Sequence, residues 1–256
     1  MTELTTLQTV RTRPLISELA IVFALSLGAS AIYSMVSLIA KITSDNGLAG
    51  SKAALNNPLS DRVWLDLTYQ LLGIGFGLAP VALALYFIWQ TENNPLKAIG
   101  LTFENPKSWA TQGLLLAATI GIPGLAFYLL ARFLGLSAQI LPANLGDYWW
   151  TIPVLLLAAM KAALLEEVIV VGYLFNRLTK LGISSNTQIL MSSIVRGTYH
   201  LYQGFGGFIG NFVMGLIFGW AYRRWGKVAP LVFAHFLLDA FSFVGYALLS
   251  DIIRLP

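Results

Sequence analysis

The chain has 256 residues, of which 57% are hydrophobic and 11% charged, and its formal net charge is +4. A soluble domain carries roughly a quarter charged residues, so this composition excludes a water-soluble function and indicates a polytopic membrane protein. With no cysteine in the chain, disulfides, thiol nucleophiles and Cys-ligated zinc are excluded, and no face of interleaved Lys and Arg points to nucleic acid.

Residues 1–14 form a polar lead-in with Arg11 and Arg13, followed by an apolar run over 15–42 broken only by Glu18 and Lys41. That run is too long for a signal-peptide core and predicts an uncleaved first helix. Residues 43–62, rich in Asn, Ser, Asp and Gly, read as a connector. The second span covers 64–89, with Trp64 and Trp89 as interfacial anchors and Asp66 as a charge at the helix start. Residues 90–108 are a second loop, and the third span, 109–134, contains Gly121-Ile122-Pro123-Gly124, which predicts a kink.

The fourth apolar run, from Tyr148 to Arg177, contains Glu166 and Glu167 at mid-length. Adjacent carboxylates at that depth cost several kcal/mol unless they are used or neutralised. Lys161 is placed either to pair with Glu166 or to snorkel to the surface. A fifth helix follows at 187–201, then a glycine-rich re-entry at 202–208. The sixth helix is expected at 210–223, with Gly215 and Gly219 spaced for close approach of another backbone. A basic turn at 224–227 leads to the seventh helix, 228–253. The expected fold is therefore all-α, a bundle of about seven membrane helices in a single integral membrane domain over 1–256, with the chemistry concentrated in 148–253.

Orientation follows from the basic residues in alternate loops. Arg11, Arg13, Lys97, Lys107, Arg177, Lys180, Arg223, Arg224 and Lys227 lie on one side, against Lys41, Lys52, Arg62, Arg132 and Arg254 on the other. The bias places the N-terminus in the cytoplasm, with the plasma membrane as the expected location.

The two histidines of the chain, His200 and His235, both fall within apolar helices. Arg196 and His200 are four residues apart, as are His235 and Asp239, so each pair shares a helix face. Polar groups on helices four, five and seven must converge inside the bundle, because lipid cannot satisfy them. Such a cavity suits hydrolysis, proton-coupled transport or a structural ion network. Transport is disfavoured by the lack of a detectable repeat between the halves.

The ordered set Glu166-Glu167, then His200, then His235-x-x-x-Asp239 resembles the CAAX protease and bacteriocin-processing family. That family's pattern is Glu-Glu-x-x-x-Arg, Phe-x-x-x-His and His-x-x-x-Asn/Asp. The resemblance covers about 164–239 and includes Tyr222-Arg223-Arg224-Trp225-Gly226 and Pro230. It implies an intramembrane endopeptidase acting on lipidated proteins or on peptides, or else a non-catalytic scaffold or immunity protein. It further implies Glu166 as the general base that activates water, His200 as a second holder of that water and Glu167 as a supporting carboxylate. His235 and Asp239 would stabilise the oxyanion. A divalent metal such as zinc, held by Glu166, His200 and His235, is open beside a metal-free route, since no His-Glu-x-x-His is present.

Two positions depart from the pattern. Val171 stands where the family has Arg, and Arg196 stands where it has Phe. Either the site has degenerated, or the same positive charge has moved to the neighbouring helix. An unpaired buried Glu167 would be costly, which favours relocation.

Overall fold

The computed structural model describes residues 14–102 and 104–249. Arg11, Arg13, Arg254 and the expected end of the last helix at 253 lie outside the described residues. Helix α1 (Pro14–Ala24) meets α2 (Leu27–Ile42) at a bend of 51°. Ser26 sits at this bend and its hydroxyl donates to the Val22 carbonyl at 2.5 Å, the back-bonding that weakens and bends helices. Helices α3 (Val63–Gly77) and α4 (Ala79–Trp89) form one rod, and a single turn, α5 (Pro95–Ala98), precedes α6 (Pro106–Phe133). Helix α6 continues through Pro123, so the expected kink does not break it.

The fourth run is continuous but not uniform. It comprises α7 (Thr151–Glu166), a π-helical segment (Glu167–Tyr173) and α8 (Leu174–Lys180). All seven π residues are buried. Four of them, Val168 to Val171, are β-branched, and such side chains crowd the neighbouring turns of a tighter helix. The Val170 carbonyl accepts a bond from the Ser192 hydroxyl at 2.9 Å. Helices α9 (Ser185–Tyr199), α10 (Phe205–Trp225) and α11 (Ala229–Leu249) complete the bundle. The expected re-entry is shorter than the sequence suggested. A 3-10 turn at Leu201–Gln203 is followed by Gly204, whose φ of 102° suits glycine, and α10 begins immediately afterwards.

Helical stretches therefore occupy all seven expected positions, yet four of them are individually long and apolar enough to cross a membrane. These are Val63–Trp89, Pro106–Phe133, Phe205–Trp225 and Ala229–Leu249, with a fifth if α1 and α2 count as one bent span. The remaining two fall short for a physical reason. Helix α9 has 15 residues, about 22 Å against the ~30 Å of a bilayer core, and the α7–α8 run carries Lys161, Glu166 and Glu167. Both of these stretches contribute to the charged site, Glu166 and Glu167 from the α7–α8 run and Arg196 from α9.

The outer surface is apolar: Phe76, Ile122 and Phe133 are 76%, 76% and 86% exposed. Charged and polar groups turn inward instead, among them Glu167, Arg177, Arg196 and His235. This inverted distribution belongs to an integral membrane protein. Helices α9 and α10 pack closely, as the glycine spacing predicted. A Cβ at Gly215 would lie 2.8 Å from the Ser193 Cα, and one at Gly219 would lie 3.1 Å from Ile189. Two short strands, β1 (Lys52–Ala54) in the connector at 43–62 and β2 (Gln139–Leu141) between the third and fourth apolar runs, pair in parallel. Leu48, Ala53 and Ala138 there pack against Leu201 and Tyr202, next to His200.

Candidate active site

Glu166 ends α7 and Glu167 opens the π segment, so the carboxylate pair straddles the change of helix type. π segments concentrate at functional sites. Neighbouring residues of a regular helix point about 100° apart, yet both carboxylates reach the same guanidinium. Arg196, fully buried on α9, places Nη2 at 2.8 and 2.7 Å from the two oxygens of Glu167, and donates from Nη1 to Glu166 Oε2 at 3.2 Å. Its guanidinium lies 5.4 Å from the centre of the Phe218 ring.

The pairing expected between Arg196 and Glu167 is present, with one difference. A single nitrogen spans both Glu167 oxygens, and the second nitrogen reaches Glu166, so Arg196 bridges the pair instead of serving Glu167 alone. Val171, where the family pattern has Arg, packs in the same apolar cluster as Phe218. The two positions therefore approach one aromatic surface from different helices. Lys161 lays its aliphatic stem near Gly77, as a snorkelling lysine does, and the cation that meets Glu166 is Arg196.

Both histidines reach the carboxylates. His235 Nδ1 lies 2.6 Å from Glu167 Oε1, and its Nε2 lies 3.4 Å from Asp239 Oδ2 on the next turn. His200 caps the C-terminus of α9, with Nε2 at 3.7 Å from Glu166 Oε2. That gap exceeds a hydrogen bond, and neither ring nitrogen of His200 has a protein partner although both are buried. All of Glu166, Glu167, Arg196, His200, His235 and Asp239 thus meet in one place.

Sequence reasoning missed Tyr199. Its hydroxyl donates to Glu166 Oε2 at 2.7 Å, closer than Arg196. The signal was present: Arg196, Tyr199 and His200 follow i, i+3, i+4 spacing and share one helix face.

Glu166, Glu167 and His235 offer ligand atoms within 4.8 Å of one another, a grouping that could hold a cation. His200 stands outside that group, which differs from the Glu166, His200 and His235 set expected from sequence. The donor chemistry fits a guanidinium better than a metal. Both oxygens of Glu167 already face Arg196, and one of them also faces His235 Nδ1. A divalent ion would have to displace a permanently charged arginine and share its pocket.

The family described as type II CAAX prenyl endopeptidase Rce1-like matches residues 148–241. No curated protein and no solved structure matches the chain. The matched stretch begins at the Tyr148-Trp149 entry to α7 and ends just past Asp239, so it takes in every residue of the site. With these side chains converging inside an apolar bundle, the site-bearing part of the chain, residues 148–241, is similar to the type II CAAX prenyl endopeptidase family, as the sequence motifs led one to expect.

Proposed function

We propose that the protein is an intramembrane endopeptidase that hydrolyses a peptide bond in a lipidated protein or peptide, using water activated by Glu166. The observation that carries this reading is the arrangement around Glu166. Its protein contacts converge on Oε2, and His200, neither of whose ring nitrogens has a hydrogen-bond partner, places Nε2 at 3.7 Å from it, just beyond hydrogen-bond reach. A water bound to Glu166 Oε1 and to His200 would be held at two points beside a base.

In this reading Glu166 takes one proton as the water oxygen bonds to the scissile carbonyl carbon. The carbonyl electron pair moves to oxygen, giving a tetrahedral oxyanion. Collapse re-forms the carbonyl and breaks the C–N bond, and the proton held by Glu166 passes to the leaving nitrogen. The products are a carboxylic acid, which keeps the second proton of the water, and an amine; that proton passes from acid to amine to give carboxylate and ammonium, and Glu166 returns ionised. His235 Nδ1 is taken by Glu167, and Nε2, which faces Asp239 at 3.4 Å in the resting site, would turn from Asp239 to the oxyanion as it forms, where a donor in a dry site counts most. Asp239 accepts hydrogen bonds only when ionised, so its part is to orient His235. Arg196 and Glu167 form the rigid base of the site, and no step requires a metal.

In this reading the substrate enters from the bilayer, and the excess of basic residues on the N-terminal side supports a cytoplasmic N-terminus, with the plasma membrane as the proposed location. The test is purified full-length protein with a farnesylated peptide carrying a quenched fluorophore on its C-terminal tail. Wild type should release the tail and Glu166→Gln should not, with equal thermal midpoints. Equal activity in both would reject Glu166 as the base.

A further inference from the structure

Glu166 is held by two donors, and the reaction above assigns no work to the nearer one. Arg196 is centred on Glu167, at 2.7 and 2.8 Å, and touches Glu166 at 3.2 Å. It leaves the rotation of the Glu166 carboxylate weakly defined. The Tyr199 hydroxyl, at 2.7 Å from Oε2, is the shorter bond.

Tyr199 is itself held from outside the matched segment. It is the last residue of α9, where carbonyls lack intrahelical partners. The Ser34 hydroxyl on α2 donates to the Tyr199 carbonyl at 2.7 Å, with both groups buried. Two turns along the same helix, the Lys41 ammonium donates to the Tyr202 carbonyl, and its charge lies 5.9 Å from the Tyr202 ring. Helix α2 therefore grips the turn bearing His200 on both sides of that residue. The Tyr199 ring is 4% exposed, packs among Val168 and Ile169, and lies 4.8 Å from the His200 ring. Its backbone, ring and hydroxyl are all fixed.

The geometry points to Tyr199 as a positioning residue for hydrolysis: its hydroxyl pins Glu166 Oε2 and so turns Oε1 toward the water, with α2 as the mount. This rests on the reading of Glu166 as the base. Removing the hydroxyl frees the carboxylate to rotate about its last bond. The chemical step slows, because misplacement of about 1 Å can cost up to ~10²-fold. Substrate binding is unchanged, since Tyr199 touches Glu166 and not the peptide.

The experiment measures kcat, KM and thermal midpoint on the quenched farnesylated peptide for wild type, Glu166→Gln, Tyr199→Phe and Ser34→Ala. Tyr199→Phe should lower kcat by about 10-fold, within that range, with KM and midpoint unchanged. Ser34→Ala should move kcat in the same direction by less. If Glu166→Gln is inactive while Tyr199→Phe keeps the wild-type kcat, the base assignment stands and the positioning role falls. A rise in KM or a lowered midpoint that accounts for the loss in Tyr199→Phe would make it a binding or packing residue, and also overturns the proposal. Full activity in Glu166→Gln would remove the base assignment and this role with it.

Discussion

Two buried ionic clusters lie on the same helical run, and they differ in what is left over. Towards the end of α8, Arg177 is fully buried and lies 3.0 Å from Glu18 of α1. Its Nη1 donates to the Thr91 hydroxyl at 3.1 Å and to Asn176 at 3.2 Å, and its charge lies over the Tyr173 ring. One cation meets one carboxylate: Arg177 Nη2 and Glu18 Oε2 have only each other, and Arg177 Nε and the Tyr173 hydroxyl make no further bond. Around Arg196 the balance is reversed. One guanidinium serves two carboxylates, a third lies beyond His235, and His200 keeps both nitrogens free. A carboxylate matched one to one by a cation is a poor base, whereas an excess of carboxylates over cations leaves one that can take a proton from water. The first cluster ties helices together, and the second has the excess of carboxylates that the proposed hydrolysis requires.

The contrast is broken most directly by neutralising one carboxylate in each cluster. Glu166→Gln should lower turnover by about 10²–10⁴-fold, the usual cost of losing a general base, and Glu18→Gln should leave turnover at the wild-type level. Turnover on the farnesylated peptide reads both, and comparable losses would erase the distinction.

Removing the cations should instead make the two clusters look alike. Arg196→Ala and Arg177→Ala should each destabilise the protein by about 3–5 kcal/mol, the range for stripping one partner from a buried pair. Thermal unfolding in detergent checks this. The two should part again on rescue. Arg196→Phe combined with Val171→Arg returns the charge to the family's position and should recover much of the loss, because Val171 belongs to the apolar cluster that contains Phe218, the ring beside Arg196. A double variant no better than Arg196→Phe alone would show that the charges do not substitute for each other. The smallest effect is expected from a chelator. Preincubation with one should leave turnover unchanged, since Arg196 already occupies the carboxylates, and loss of activity restored by added zinc would reverse that assignment.

Much of this site was legible before any coordinates. Glu166, Glu167, His200 and His235 had to face inward because lipid leaves buried charge unsatisfied. The absence of Arg at position 171 and its appearance at 196 forecast the ion pair that the structure contains. The π segment was not legible, because seven consecutive buried residues carry no polar face from which to read a period. Tyr199 was hidden for a related reason: a tyrosine in an apolar helix is ordinary until its hydroxyl finds a carboxylate. The grip of α2 was beyond local pattern altogether, since Ser34 and Tyr199 are 165 residues apart. Strands of three residues, such as β1 and β2, are too short to show alternation. Hydropathy located the seven expected helical stretches but not the single turn α5, and four of the seven, or five with the bent pair, are long and apolar enough to span, because α7 carries charge and α9 is short.

The central claim is that Glu166 activates a water and does not itself attack the peptide. A single turnover in ¹⁸O-labelled water, with enzyme in excess over the farnesylated peptide, tests it. The account predicts one ¹⁸O atom in the new carboxylate of the product on the first turnover, with Glu166 unlabelled by mass spectrometry. An unlabelled first product with ¹⁸O in the Glu166 side chain would mean that the carboxylate attacked the peptide directly, and would contradict it.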